Sequence, residues 1–317
     1  MAVLILGPLS ITGSSILNRS IKNTVSDAAR QSWSGIKITA WSYRLLVLLL
    51  LALLAGCASM ATQRLANNLA SAMLNQDDPD TVRAGAPAYL LLLDGMIRDN
   101  PKDQTLLVAG SRLYGALASG LIQDSARIKR MSNRSRDYAR QALCLRYKSL
   151  CQNENAPFEE FAASVNELGM DELSVLYAYA TSWAGWIAAR TDDWNALADL
   201  PKVELLLERI INKTPDYDNG RAQLYLAVMR SQLPPALGGK PETGRYHFEQ
   251  AIAYSQGRDL IAKVEFARRY ARLVFDQPLH DRLLKEVLEA PAQATDLTLS
   301  NILAKQQATR LLADDYF

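Results

Sequence analysis

An all-α fold follows from three observations on this chain. Apolar residues recur at helical spacing in nearly every segment after residue 57. No stretch alternates apolar and polar residues between turn signals, as a half-buried strand would. Proline, glycine and Asn/Asp clusters divide the chain into helices of about 12 to 18 residues with short connections, a normal length for globular helices.

The elements follow in order. Leu65, Leu69, Ala72 and Met73 form one stripe, closed by Asp77-Asp78-Pro79. A second helix carries Tyr89, Leu90, Leu93 and Ile97 and stops at Asp99-Asn100-Pro101, because proline disfavours helical backbone in the residue before it. The third starts near Asp103 and runs through Leu106, Gly110, Leu113 and Leu117; a long basic helix spans about 128–145. Helices over 158–168 and 173–189 are separated by stop and cap signals at Gly169 and Asp171. A short one covers 193–200, and Pro201 fits the first turn of the helix through Ile210. Residues 219–232 are helical up to Pro234-Pro235, and 233–242 form a turn-rich loop. Thr243 is the expected cap of a helix bearing Phe248, Ala251 and Ile252 that Gly257 ends. Helices over 260–275, 279–290 and 298–312 complete the chain.

Such a succession makes antiparallel helix pairs, stacked as a solenoid or closed as a bundle. Asn100-Pro101-Lys102-Asp103 leading to Gly110 and Leu113, then Ala139, Ala142 and Leu143, resembles a degenerate tetratricopeptide unit, in which small residues let helices approach closely. Thr214-Pro215-Asp216-Tyr217, then Leu224, Ala227, Phe248, Ala251 and Ile252, repeats the logic. The expectation is a compact α-solenoid or bundle over 57–317.

Residues 1–56 read differently. An eleven-residue apolar run, Leu45 to Ala55, follows Lys37 and Arg44 and ends in Leu54-Ala55-Gly56-Cys57. It is shorter than the ~20 residues of a spanning helix and reads as a signal-peptide core. Leu-Ala-Gly-Cys matches the lipobox of bacterial lipoproteins, so Cys57 is expected to carry the acyl anchor on a periplasm-facing protein of the cell envelope. Ala58 in place of Asp points to the outer rather than the inner membrane. The leader holds Arg19, Lys22, Arg30, Lys37 and Arg44 against Asp27 alone, so the remaining chain is slightly acidic although the whole has a net charge of +2. That balance offers no concentrated basic face and excludes nucleic acid as an expected partner.

Catalytic and metal-binding patterns are missing. His247 and His280 lie on different helices and read as surface or cap residues; there is no HExxH, GxSxG or CxxC. Gly239-Lys240-Pro241-Glu242-Thr243-Gly244-Arg245 lacks the Lys-Ser/Thr that a phosphate loop needs. No enzyme, metal or cofactor is expected. Cys144 and Cys151 are either a disulfide or two buried thiols, since seven residues of continuous helix would part their Cα atoms by ~10.5 Å, beyond reach. Pairing requires the helix to end near Tyr147. Tyr177, Tyr179, Trp183, Trp186 and Trp194 concentrate aromatic surface. Tyr179, Trp183 and Trp186 share a face that either packs a core or walls an apolar ligand cavity. Arg268 and Arg272 stand one turn apart, able to bind a carboxylate, pair with Glu265 or face solvent. Gly238, Gly239 and Lys240 form a loop suited equally to partner contact and to separating two helices.

A specific resemblance rests on Leu233-Pro234-Pro235-Ala236-Leu237-Gly238-Gly239-Lys240-Pro241-Glu242 and Arg245-Tyr246-His247-Phe248-Glu249-Gln250-Ala251-Ile252. It continues through Ala262 to Arg272, Leu279-His280-Asp281-Arg282-Leu283-Leu284 and Ala313-Asp314-Asp315-Tyr316-Phe317. Together these resemble the T component (TatT) of tripartite ATP-independent periplasmic (TRAP) transporters, a tetratricopeptide-like lipoprotein family, over about residues 45–317. The resemblance implies a homotrimer that binds the solute-binding P component and handles a hydrophobic or organic-acid ligand; it carries over no catalytic residue. The alternative is a repeat lipoprotein that scaffolds envelope assembly. A solid core across Trp183 and Trp186 would favour it, and a cavity there would favour transport.

Replacing Cys57 with Ala is expected to abolish labelling by radioactive palmitate and to move the protein from the membrane pellet to the soluble fraction. Retained label would overturn the anchor.

Overall fold

The computed structural model describes residues 68–317 except Met170 and Gly238. The leader, Cys57 and Leu65 lie outside the described residues. Among those described there are helices and no strand: α1 (Pro79–Asp99), α2 (Gln104–Gly120), α3 (Ser125–Arg146), α4 (Lys148–Gln152), α5 (Phe158–Asn166), α6 (Leu173–Ala188) and α7 (Trp194–Leu197). They continue as α8 (Leu200–Lys213), α9 (Arg221–Arg230), α10 (Pro241–Tyr254), α11 (Leu260–Glu265, prolonged as a π-helix over Phe266–Ala271), α12 (Gln277–Glu289) and α13 (Thr298–Leu312). The all-α expectation stands.

Aspartate starts many of these helices. The Asp78 carboxylate accepts from the Asp80 and Thr81 N–H groups, Asp103 from Thr105 and Leu106, Asp124 from Arg127 and Asp276 from Leu279. Each satisfies donors that a helix N-terminus leaves unpaired. Several boundaries differ from expectation by two or three residues, and three departures bear on the packing. α9 starts at Arg221, because Asp218, Asn219 and Gly220 take φ of 54°, 53° and 87° and break the chain direction. α10 starts at Pro241, whose ring presets the first turn, and Thr243 does not cap it. α11 widens into the π segment; Arg268 and Arg269 both reach the Glu265 carboxylate, while Arg272 turns to Asp314.

Close helix approach relies on small residues, as the repeat pattern predicts. A Cβ on Gly110 would lie 2.8 Å from Ile97 Cδ1 and 2.9 Å from Tyr138 Cδ2, and one on Gly244 would lie 3.1 Å from the Ala227 carbonyl oxygen. Ala139 and Ala142 on α3 are fully buried. Helices α1, α2, α3, α6, α8, α9 and α10 pack in succession.

The main core joins Leu93, Leu107, Leu143, Leu150, Phe161, Leu176, Tyr179, Trp183, Leu206 and Ile210. A second, around Phe248, Val264, Phe266, Leu284, Val287 and Ala304, belongs to α10–α13. Helix α9 serves both: Ala222 and Leu226 enter the first, Leu224 and Ala227 the second. A third small core holds Val82, Ala86, Leu90, Leu117, Leu121 and Met131, with Leu299 and Leu303 of α13 against it. Asn75 and Ser71 also bond Asp296 in the loop before α13. The last helix thus returns to the first, and the array closes as a bundle.

The turn into α11 is held by polar groups. Asn301 of α13 has no exposed surface; its amide donates to the carbonyls of Arg258 and Ala292 and accepts from the Leu260 N–H. Beside it, Arg221 pairs at 2.7 Å with the buried Asp259.

Asn301→Ala would leave the buried Leu260 N–H and Ala292 carbonyl and the part-buried Arg258 carbonyl unpaired. At about 1 kcal/mol or more for each, stability is expected to fall by about 3 kcal/mol, roughly 6 to 12 °C in Tm for a chain of this size. A calorimetric shift under about 2 °C would refute this role.

Candidate partner and ligand sites

Helix α3 ends at Arg146, and α4 begins at Lys148 after a break at Tyr147 (φ −121°, ψ 75°). The break brings the Cys144 and Cys151 Cα atoms to 5.1 Å, and the structure joins their sulfurs. The Tyr147 hydroxyl fixes the same corner by donating to the Gly169 carbonyl and accepting from the Glu172 N–H.

The aromatic face of α6 is packed by arginine and a ring from α5. Tyr179 and Trp183 have 0% exposed surface, so not even water reaches them, and neither lines a cavity. Phe161 meets Trp183 edge-on at 5.9 Å, and Tyr179 lies 5.2 Å from the same ring. The cavity-wall reading of these two residues is therefore corrected to core packing. Trp186 is half-buried between the guanidiniums of Arg136 and Arg190, each 4.5 Å from its ring, and its indole N–H donates to Asn133. Cation–π contacts of this kind contribute about 0.5–2 kcal/mol each. Beneath them the buried Glu154 carboxylate accepts from Arg140, and Lys202 donates to the Glu154 carbonyl. Burial, then the Glu154 charge, pushes the Tyr179 phenol well above its ordinary value, so it stays neutral. Tyr177 points the other way, onto Tyr217 and Tyr225.

Of the loop, Gly238 lies outside the described residues. Gly239 donates to the Pro234 carbonyl and Lys240 to that of Arg230. A Cβ at Gly239 would fall 1.7 Å from the Leu233 carbonyl oxygen, so only glycine fits. The loop sits where Arg230 bridges Glu204 and Glu208, which ties α9 to α8. Burial raises the Glu204 carboxyl, with Arg230 opposing. Leu233 and Lys240 remain exposed.

An apolar groove of about 430 Å³ opens elsewhere, above the third core. Ala86, Leu90, Leu117, Leu121 and Met131 form its floor, with Arg83, Asp124 and Arg127 among its rim residues. Arg83 Nε donates to the Leu121 carbonyl, and its guanidinium pairs with Asp80. Arg127 is exposed. Pro87, also in the lining, lacks the N–H that would bond the Arg83 carbonyl within α1. Among the described residues, no group of three or more His, Cys, Asp or Glu could hold a metal ion.

The family model for the TRAP transporter T-component matches residues 75–317. The chain belongs to that family. No curated protein sequence is significantly similar to it. T components are accessory transport subunits and not a known enzyme family, which assigns this one to a TRAP transporter and to the cell envelope. Among its described residues no helix is long and apolar enough to cross a membrane.

Two features of this T component escape sequence reasoning. Arg136, which packs against both Trp183 and Trp186, stands on α3, some fifty residues from α6, and the groove assembles from α1, α2 and the start of α3. The two histidines also differ from expectation. His280 is 2% exposed, donating from Nδ1 to Asp281 and accepting at Nε2 from Arg272. His247 is half-buried and donates from Nδ1 to Gln223 Oε1, an assignment fixed because Gln223 Nε2 donates to the Pro215 carbonyl.

Burial, and then the Arg230 charge, lowers the His247 pKa below its ordinary 6.5. The unfolded chain therefore binds the proton first, and His247 costs the fold stability as pH falls through 6.5 toward the lowered value. The drop in Tm between pH 8 and pH 5.5 is expected to be smaller in His247→Gln than in the parent. Equal drops would show that His247 does not contribute.

Proposed function

We propose that the chain is the lipid-anchored, periplasm-facing subunit of a TRAP transporter that binds the solute-binding P component and receives a hydrophobic or organic-acid ligand. The observation that carries this reading is the T-component match across residues 75–317. The groove supports the ligand half. Its apolar floor suits a hydrocarbon body, its volume of about 430 Å³ falls within the range of small-molecule pockets, and Arg83 and Arg127 at its rim suit a carboxylate. The lipobox at Cys57 supports an anchor, with Ala58 favouring the outer membrane, and the homotrimer follows from the family resemblance. The Gly239-Lys240 loop, rigid yet presenting Leu233 and Lys240, suits a protein contact.

A scaffold for envelope assembly is the second reading. The solid packing of Tyr179 and Trp183 favours it.

The deciding experiment is affinity capture of the full lipoprotein from its native envelope after mild crosslinking, with mass spectrometry of the proteins and of extracted small molecules. The expected result is a solute-binding protein together with an amphiphilic acid that is lost when Arg83 and Arg127 are both changed to Ala. Recovery of assembly factors alone would overturn the transport reading in favour of the scaffold.

A further inference from the structure

The end of α11 exposes aromatic surface that the fold does not need. Phe275 is 77% exposed, and Tyr316 and Phe317 are 44% and 43% exposed. The rings form one patch: Phe275 stacks on Tyr316 at 6.4 Å, Tyr316 meets Phe317 at 5.1 Å, and Phe317 meets His280 at 5.0 Å. Arg272 fastens it. Its guanidinium lies 4.5 Å from the Tyr316 ring and pairs with Asp314, while the Tyr316 hydroxyl donates to the Arg272 carbonyl.

Phe275 is placed at a cost. The Asp276 N–H bonds the Ala271 carbonyl and the Phe275 N–H that of Arg272, the pattern of a Schellman helix end. Phe275 holds the left-handed position of that motif, at φ 59°, where glycine is the favoured residue. A bulky ring that is both left-handed and exposed marks a constraint other than folding.

Charge selects the occupant. Asp276 follows Phe275, Asp281 bonds the histidine under Phe317, and the exposed Asp315 precedes Tyr316 and Phe317. The Arg272 side chain is only 13% exposed and is already paired with Asp314. The patch is therefore apolar with an acidic rim, complementary to an apolar cleft edged by Lys and Arg.

We infer that Phe275, Tyr316 and Phe317 anchor a protein partner that presents a basic-edged apolar cleft. The partner's identity as the solute-binding component rests on the reading under Proposed function. Exposed aromatics of this kind are the residues that dominate protein interfaces.

The test measures binding of the full-length chain, in detergent micelles, to the purified solute-binding subunit of the same transporter. Phe275→Gly is expected to weaken binding at least tenfold with Tm unchanged or raised, since glycine suits the left-handed position. Tyr316→Ala should weaken it similarly. Asp315→Lys, at an exposed position, should slow association at least threefold in low salt and lose that effect at high salt; it decides the matter if the glycine variant melts lower. Binding by the parent with all three variants within twofold of it would overturn the surface. Failure of the parent to bind would instead overturn the functional reading on which the partner's identity rests.

Discussion

A single buried amide holds together the region where the chain doubles back. Asn301 satisfies the start of α11, the turn after α10 and the loop before α13 at once, so the α10–α11 turn and the approach to α13, some forty residues on, share one set of hydrogen bonds. Its bonds are the buried polar contacts of α13; the Arg221–Ser300, Arg272–Leu311 and Lys305–Leu288 hydrogen bonds lie at less buried positions. With Asn301 in place, Leu299 and Leu303 are set against the α1–α2–α3 core, and the Asp296 loop meets Ser71 and Asn75. The floor of the groove thus depends on a residue on a distant helix.

Helix α9 gives this closure its second hold. It is short, yet its alternate faces lie in two different cores, and Gly220 at its start allows the chain to pass close to the Ala251 backbone. The arrangement departs from an open repeat stack, in which each unit touches only its neighbours. A closed bundle gives up the long concave surface of a solenoid. Its described surface carries local features instead: a groove, a clamped loop and an aromatic patch.

Much of this was legible along the chain, and the boundary of legibility is physical. Proline and aspartate marked helix ends because they act on adjacent backbone, which is why the break at Asn100-Pro101 lies where expected. Gly110 and Ala139 announced close packing because lack of bulk is itself the signal. Asn219 read as helical because nothing local reveals a left-handed backbone at a non-glycine residue. The π segment was invisible since one extra residue per turn leaves composition unchanged. Tyr179 and Trp183 shared a face, as their spacing required, but core and cavity look alike until the opposing helix is known; Arg136 on α3 and Phe161 on α5 decided it. The groove needed three helices in place and had no linear signature. His280 reads as a surface or cap residue because its contacts with Arg272, across the turn before α12, and with Phe317 exist only once the helices are placed.

The Cys144–Cys151 link makes one corner of the fold sensitive to its redox surroundings. It closes a tight corner between α3 and α4 and joins the long basic helix to everything after it. Such a bond forms in oxidising compartments and is kept open by cytosolic thiol reductants. The corner between α3 and α4 therefore has two stiffnesses: with the sulfurs joined it is a locked bracket, and with them reduced it is held by the Tyr147 hydroxyl bonds alone.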